Sequence, residues 1–321
     1  MDELLAIRHS SARTASAGQR LLRGAAHGKP RRLKLNRKMR ADEAFRAILA
    51  DCLAAISAQA GVLRTGRSVE ALHQLRVALR RLEVMLGAFG KAFEQDWFGE
   101  LRGRTKAISA RLGPARDMDV FLSDLLAGGK LGGSDFGPLH RAAEAMQARA
   151  WESVEDCITS EDFGHLQDDI AALSQSSLPL GHGRRLKAVA QELLDDAASR
   201  VARRGRKAKA GDEASLHRLR IGLKKLRYLV QAFSDLHPKK TQKPYLVALK
   251  QLQEELGHLN DIAHVRLTIA ELVRNHEAQA IRYGAGLVQG HYAAGRERAA
   301  KKAMKRYRDF KAMPRFWRMA D

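Results

Sequence analysis

Leucines recur at Leu72, Leu75, Leu79, Leu82 and Leu86, in steps of three and four. That spacing predicts an amphipathic helix with one buried stripe. The pattern returns at Leu216, Leu219, Leu223 and Leu226, an offset of 144 residues. A second signal keeps the same offset: Leu112-Gly113 with Asp117 is answered by Leu256-Gly257 with Asp261. Two independent signals at one offset indicate a duplicated unit with no net insertion between the copies.

Other apolar runs predict the neighbours of this helix. One helix follows Pro30, carries Arg31, Arg32, Lys34, Arg37, Lys38 and Arg40 in its first turns, and continues through Phe45, Ile48, Leu49, Cys52 and Ile56 to Gly61. In this reading Arg37 and Arg40, three residues apart, share a helical face. Its counterpart runs from Arg184, Arg185 and Lys187 through Val189 and Leu194 to Gly205. The motif helix of copy one ends near Gly87 to Gly90, and that of copy two near Phe233 to Pro238. A third helix carries Leu101 and Ile108 in copy one, Tyr245, Leu249 and Leu252 in copy two. Gly113-Pro114 and Gly257 are expected to break it, with Asp117 and Asp261 as N-cap residues of a fourth. A further helix runs from Pro138 past Trp151, and a C-terminal one from Gly286 to Met313.

Short loops between long helices favour antiparallel packing. The expected fold is all-α, an internal duplication giving two antiparallel, four-helix-type bundles with pseudo-twofold symmetry and a basic central cleft. Residues 1–30 read as a flexible basic arm, 31–175 as the first bundle, 176–183 as a connector and 184–321 as the second bundle. The few prolines, 7 in 321 residues, and the abundance of Ala, Leu, Arg and Lys agree with an all-helical chain.

Charge changes the picture. His73, Arg76 and Arg80 each follow a seam leucine, so they form a second stripe about 100° around the helix from the first. His217, Arg220 and Lys224 repeat it, and no acid enters either stripe before Glu83. A merely solvating face would lie opposite the leucines and alternate in sign; like charges crowded along the core edge call for an anion. The whole chain carries a formal net charge of +21, which draws polyanions. The basic run Arg296 to Lys311 reads equally as a solvated face or as the wall of an anion groove.

Catalytic chemistry leaves little trace. No Walker A, H-E-x-x-H or His-Asp phosphohydrolase signature is present. Asp117-Met118-Asp119 loses one acid in its counterpart Asp261-Ile262-Ala263, which favours capping over a magnesium site. His258 and His264 are expected to flank a helix start and so not to share a face neatly. Cys52 and Cys157 lack a CxxC spacing, and Cys52 sits among apolar helix residues, as a packing thiol does. No apolar run approaches the ~18 residues of a membrane span, and no secretory signal is apparent, so a cytoplasmic setting is expected.

The paired L-H-x-L-R-[VI]-x-L-[RK]-[RK]-L helices, the two L-G-x-x-x-D turns and the Phe316-Trp317 ending resemble the conserved histidine α-helical domain (CHAD) family, from about residue 31 to the end. The resemblance implies two four-helix bundles that bind inorganic polyphosphate in a basic cleft, in some cases on polyphosphate granules with granule proteins as further partners. Carried onto this chain it implies His73, Arg76, Arg80, His217, Arg220 and Lys224 as ligand contacts. Arg81 and Lys225 complete the dibasic pairs, Lys106 and Lys250 match at the same offset, and Arg37, Arg40, Arg184 and Arg185 form the rim. No cofactor or metal is implied. Many relatives carry an additional triphosphate-tunnel domain with an E-x-E-x-K strand; this chain lacks that motif and reads as a stand-alone form. Two other functions stay open: a nucleic-acid-binding protein, disfavoured by 6% aromatic residues and few stacking platforms, and a phosphohydrolase acting on polyphosphate.

Overall fold

The computed structural model describes residues 33–95, 97–127, 137–176, 180, 183–274 and 279–319. The N-terminal arm, with Pro30, Arg31 and Arg32, lies outside the described residues, as do most of the loop expected at 128–137 and part of the connector at 176–183. Among the described residues the chain is all-α, with eleven helices. They are α1 Ala41–Thr65, α2 Val69–Phe93, α3 Trp97–Arg111, α4 Gly113–Ala127, α5 Gly137–Thr159, α6 Glu161–Gln175, α7 Leu186–Lys207, α8 Glu213–Ala232, α9 Lys239–Arg274, α10 Gln279–Ala293 and α11 Arg296–Ala312. The two motif helices are α2 and α8.

Contacts divide the chain into two compact units, each discontinuous in sequence. The first holds the described residues up to Arg111 with Glu155–Asp195 and Tyr228–Pro238; the second holds Leu112–Val154, Asp196–Arg227 and the described residues from Lys239 on. This division by contact differs from the sequential halves at 31–175 and 184–321, because its boundaries fall inside α5, α7 and α8.

In the first unit α2 packs on α1 and α3, and α6 packs on α1 and α3. Its core is aromatic: the Phe45 ring lies 4.9 Å from Phe89, 5.7 Å from Phe93 and 5.2 Å from Phe98. Phe93 holds α2 helical past Gly90, three residues beyond the expected end, and Glu94 then terminates it in the left-handed region. In the second unit α9 packs on α4, α10 and α11. Val265, Ile269 and Leu272 of α9 bury against Phe121, Leu139, Ile281 and Val288. Tyr245 of α9 packs on Phe310, Phe316 and Trp317, which accounts for the Phe-Trp ending.

Several local expectations are corrected. α1 begins at Ala41, so Arg37 and Arg40 precede it instead of sharing a face within it. Asp42 and Glu43 occupy the first turn, where the helix dipole favours acids and disfavours that run of arginines and lysines. Helix α1 continues four residues past Gly61, and α7 two past Gly205. Ser160 divides the region after Trp151 into α5 and α6, its hydroxyl accepting the Phe163 N–H. Gly295, at φ 91°, divides the expected C-terminal helix into α10 and α11.

The largest difference lies at the Leu-Gly turns. Copy one breaks between α3 and α4, but α9 runs unbroken for 36 residues through Gly257, His258 and Asp261. Position 258 is the counterpart of Pro114. Proline has no N–H to extend the preceding helix, whereas histidine has one, so the break follows the proline and not the glycine. Asp117 and Asp261 accordingly lie inside helices and cap neither. Helix α1 is also long and apolar enough to cross a membrane by length and composition, a property missed in the sequence. Its Phe45, Ile48, Leu49, Cys52 and Ile56 are buried in the first unit.

Candidate functional site

Helix α2 is started by Ser68, whose hydroxyl accepts the Ala71 N–H at 3.2 Å. Its five seam leucines are fully buried, which fixes the rotation of the helix. His73, Arg76 and Arg80 then fall at the core edge, each half-buried. Arg76 donates through Nη1 to the Ser109 carbonyl of α3 at 3.2 Å. This bond ties the stripe to α3, where Lys106 is exposed on the turn preceding Ser109. Neither Arg80 nor Lys106 makes a hydrogen bond or ion pair with a described residue. Arg81, one residue on, turns toward α1 and is ion-paired with Asp51.

Helix α8 is started by Asp212, whose carboxylate accepts the Ser215 N–H at 3.2 Å; that bond, aided by the charge of Arg218 and opposed by desolvation, holds its pKa below the usual range. Leu216, Leu219, Leu223 and Leu226 are buried, and Arg220, Lys224 and Lys225 are half-buried beside them. His217 is exposed, with Nδ1 2.9 Å from Oδ1 of Asn260 on α9. An amide oxygen only accepts, so Nδ1 carries the hydrogen, and the ring presents Nε2 as its other polar atom. Gln253 of α9 donates to the Leu223 carbonyl at 2.7 Å, fixing the two helices along the stripe. Lys250, also on α9, is exposed and lies 3.6 Å from Glu254.

Arg37, Arg40, Arg184 and Arg185 come together in the first unit. The backbones of Arg40 and Arg185 form an antiparallel bridge, with Ala41 N–H donating to the Arg184 carbonyl at 2.9 Å and Leu186 N–H to Met39 at 3.0 Å. The bridge sets the starts of α1 and α7 side by side. Arg37 donates to the Leu236 carbonyl at 2.8 Å and Arg185 to the Lys38 carbonyl at 2.8 Å. Arg40 pairs with Asp42 at 3.1 Å, and Arg184 pairs with Glu192. Two helix starts and four guanidinium groups make a second basic region in this unit.

The acids singled out in the sequence take other roles. Asp119 is buried and accepts Trp151 Nε1 at 3.0 Å and Gln147 Nε2 at 2.8 Å, anchoring α5 to α4. Asp117 lies 3.8 Å from His264 of α9. His258 and His264 belong to one helix, with no helix start between them. Among the described residues no group of three or more His, Cys, Asp or Glu is placed to hold a metal ion. Burial pushes the Cys52 thiol up to about 12 and raises that of Cys157 as well, so neither is an activated nucleophile.

Sequence reasoning missed the α9 side of the second stripe. Asn260 precedes Asp261 at the expected helix start, and its role becomes visible only once α9 is continuous. It also missed Glu255, which takes Lys302 at 2.9 Å and Arg306 at 2.9 Å and so neutralises part of the basic run on α11.

The CHAD domain family profile matches residues 47–270. Among solved structures, the chain is similar to the CHAD domain from the plant Ricinus communis, with a TM-score of 0.73, 25% identity, and coverage of 91% of this chain and 98% of that one. It is similar in fold to PptA from Streptomyces chartreusis, with a TM-score of 0.64, 19% identity, and coverage of 84% and 100%. No curated protein matches the sequence significantly.

Proposed function

Because the chain belongs to the CHAD family, which is linked to polyphosphate binding in general, we propose that it binds inorganic polyphosphate through the basic stripes of α2 and α8. The observation that carries the proposal is the repeated edge stripe. His73, Arg76 and Arg80, and again His217, Arg220 and Lys224, border a buried leucine seam at a constant offset of 144 residues. Polyphosphate offers about one negative charge per unit and no bases to read, so recognition rests on charge and on guanidinium forks onto phosphate oxygens. Lys106 and Lys250 extend the two stripes, and the four arginines at the starts of α1 and α7 add a further contact region. Arg81 serves the fold through Asp51 more than the ligand.

The proposed activity is binding without turnover, in the cytoplasm and on polyphosphate granules. Long-chain polyphosphate and duplex DNA, competed at one fixed salt concentration, test the ligand: polyphosphate is expected to win, and equal or tighter DNA binding would make this a nucleic-acid protein. Replacing Arg76 and Arg80 together by glutamine is expected to lower affinity at least tenfold, since each charge-assisted bond is worth about 1.5–3 kcal/mol. The slope of log affinity against log salt flattens in that variant, because fewer counterions are displaced. Chain length of polyphosphate incubated with the protein stays constant with or without Mg²⁺ or Mn²⁺; shortening that disappears in a His73→Ala, His217→Ala variant would show catalysis. A fluorescent fusion of the wild type is expected on granules, and the stripe variant off them.

A further inference from the structure

The two copies differ where the first helix of each crosses the motif helix. Copy one has Ala60 on α1 and Ala78 on α2, both buried; the positions 144 residues later are Arg204 on α7 and Gly222 on α8. The second copy has exchanged two methyl groups for one long cation and a gap. A Cβ at Gly222 would meet Nη1 of Arg204 at 3.2 Å and its Cδ at 3.3 Å. The arginine therefore lies across α8 in the space the glycine leaves, and Nη1 donates to the Arg218 carbonyl at 3.0 Å.

Three more guanidinium groups stand around it: Arg200 and Arg203 on α7 and Arg218 on α8. Burial, then Arg200, Arg203 and Arg218, hold the pKa of Arg204 below its ordinary value, a sign of uncompensated crowding. Two carboxylates answer four cations. Asp196 lies 2.8 Å from Arg200, and Asp212 lies 3.9 Å from Arg218. Arg203 and Arg204 make no ion pair with a described residue. Packing does not require this charge, since two alanines close the equivalent crossing in copy one, where Ile56, Gln59, Ala60 and Gln74 occupy the corresponding positions.

We infer that Arg203, Arg204 and Arg218 form a second anion site, present only in the second copy, that takes a phosphoryl group. On α8 it lies on the opposite edge of the leucine seam from His217, Arg220 and Lys224, about 100° away on the other side, so it is separate from the stripe. Arg204 is the pre-oriented member, its fork held by the Arg218 carbonyl; Arg203 and Arg218 are exposed and close on the phosphate from either side. The site goes beyond the reading of the stripes and does not depend on it.

The test begins with full-length protein in which Arg76, Arg80, Arg220 and Lys224 are all glutamine, titrated calorimetrically with tripolyphosphate and, separately, with orthophosphate. One tripolyphosphate per chain is expected to remain. Adding Arg203→Gln and Arg218→Gln, which leaves Arg204 in place over Gly222, is expected to weaken that residual binding at least about tenfold. Binding of orthophosphate with the same dependence would identify a single-phosphate site; tripolyphosphate alone would identify a chain site. No residual binding in the first variant, or equal binding in both, overturns the inference. If the first variant binds as the wild type does and the second binds more weakly, the stripes fail as the ligand site while the arginine cluster stands. Should the fourfold variant lose its helical circular dichroism, Arg203→Gln with Arg218→Gln in the wild-type background decides: stoichiometry falls by one site if the inference holds and is unchanged if it does not.

Discussion

The ring of Tyr307 lies against the backbone of Gly205, so closely that a methyl group there would overlap it. Gly61, at the equivalent position of copy one, has nothing within 4 Å of where its Cβ would stand beyond its chain neighbours and its own helix backbone. Both glycines lie inside helices, and the two substitutions therefore have opposite signs. Gly61→Ala is expected to stabilise the protein by about 0.5–1 kcal/mol, from the lower entropy of the unfolded chain. Gly205→Ala is expected to destabilise it by about 1–3 kcal/mol through overpacking. Urea denaturation of the two variants checks both; equal effects would show that the α11 to α7 contact carries no weight.

The seam and the stripe separate in the same assay. Leu79→Ala and Leu223→Ala each empty a fully buried site and are expected to cost about 2–5 kcal/mol. Arg80→Gln, with no described partner to lose, is expected to stay within about 0.5 kcal/mol of wild type while weakening polyphosphate binding. Arg81→Gln breaks the pair with Asp51 and is expected to do the reverse, lowering stability with little change in affinity. Unfolding of the Arg80 variant would make the stripe a structural network.

Acid should weaken the fold through two carboxylates. Burial pushes the pKa of Asp42 up, but the Arg40 hydrogen bond and the charges of Arg46 and Arg40 outweigh it and leave the value below the ordinary 3.8. Burial likewise opposes Lys302 and Arg306 at Glu255, where the net shift is below 4.5. A folded-state pKa below the unfolded value means stability that is fully present above the unfolded pKa and lost as pH falls through the folded one. Denaturation midpoints are therefore expected to be flat from pH 7 to 5 and to fall below about pH 4. Asp42→Asn is expected to lower the plateau and flatten the fall; an unchanged acid limb would mean that other groups control it.

The cysteines supply a readout of global opening. With Cys52 buried and its thiol pushed up to about 12, and Cys157 also buried and raised, native protein at pH 8 is expected to resist Ellman's reagent. Both thiols should react in denaturant. Rapid reaction of the native protein would reveal local opening of α1 or α5.

The periodicity of the chain determined the elements at the centre of the molecule. Each seam leucine sits where its three- and four-residue steps require, because burying one face of a helix is a local demand written at fixed spacing. The same arithmetic placed His73, Arg76 and Arg80 at the core edge, since a residue's angle around a helix follows from its number once one buried face is known. The repeat of the motif is likewise a property of the sequence, visible as a constant offset before any coordinates.

Tertiary structure decided what competing local signals leave open. Gly257 and Asp261 resemble a break and a cap, yet a helix-interior glycine costs only about 1 kcal/mol relative to alanine. Burial of Leu252, Leu256, Leu259, Ile262 and Val265 along one continuous face outweighs that cost, and with no proline at position 258 the helix runs on. Helix starts moved for the opposite reason: the backbone bridge to Arg185, 145 residues away, holds Arg40 extended ahead of α1, and Arg37 lies in the turn before it. The partners of the basic residues were hidden too. Arg81 with Asp51, His217 with Asn260 and Arg204 over Gly222 join helices at separations that no periodicity encodes, so which cations remain available to a ligand is settled only when the helices pack.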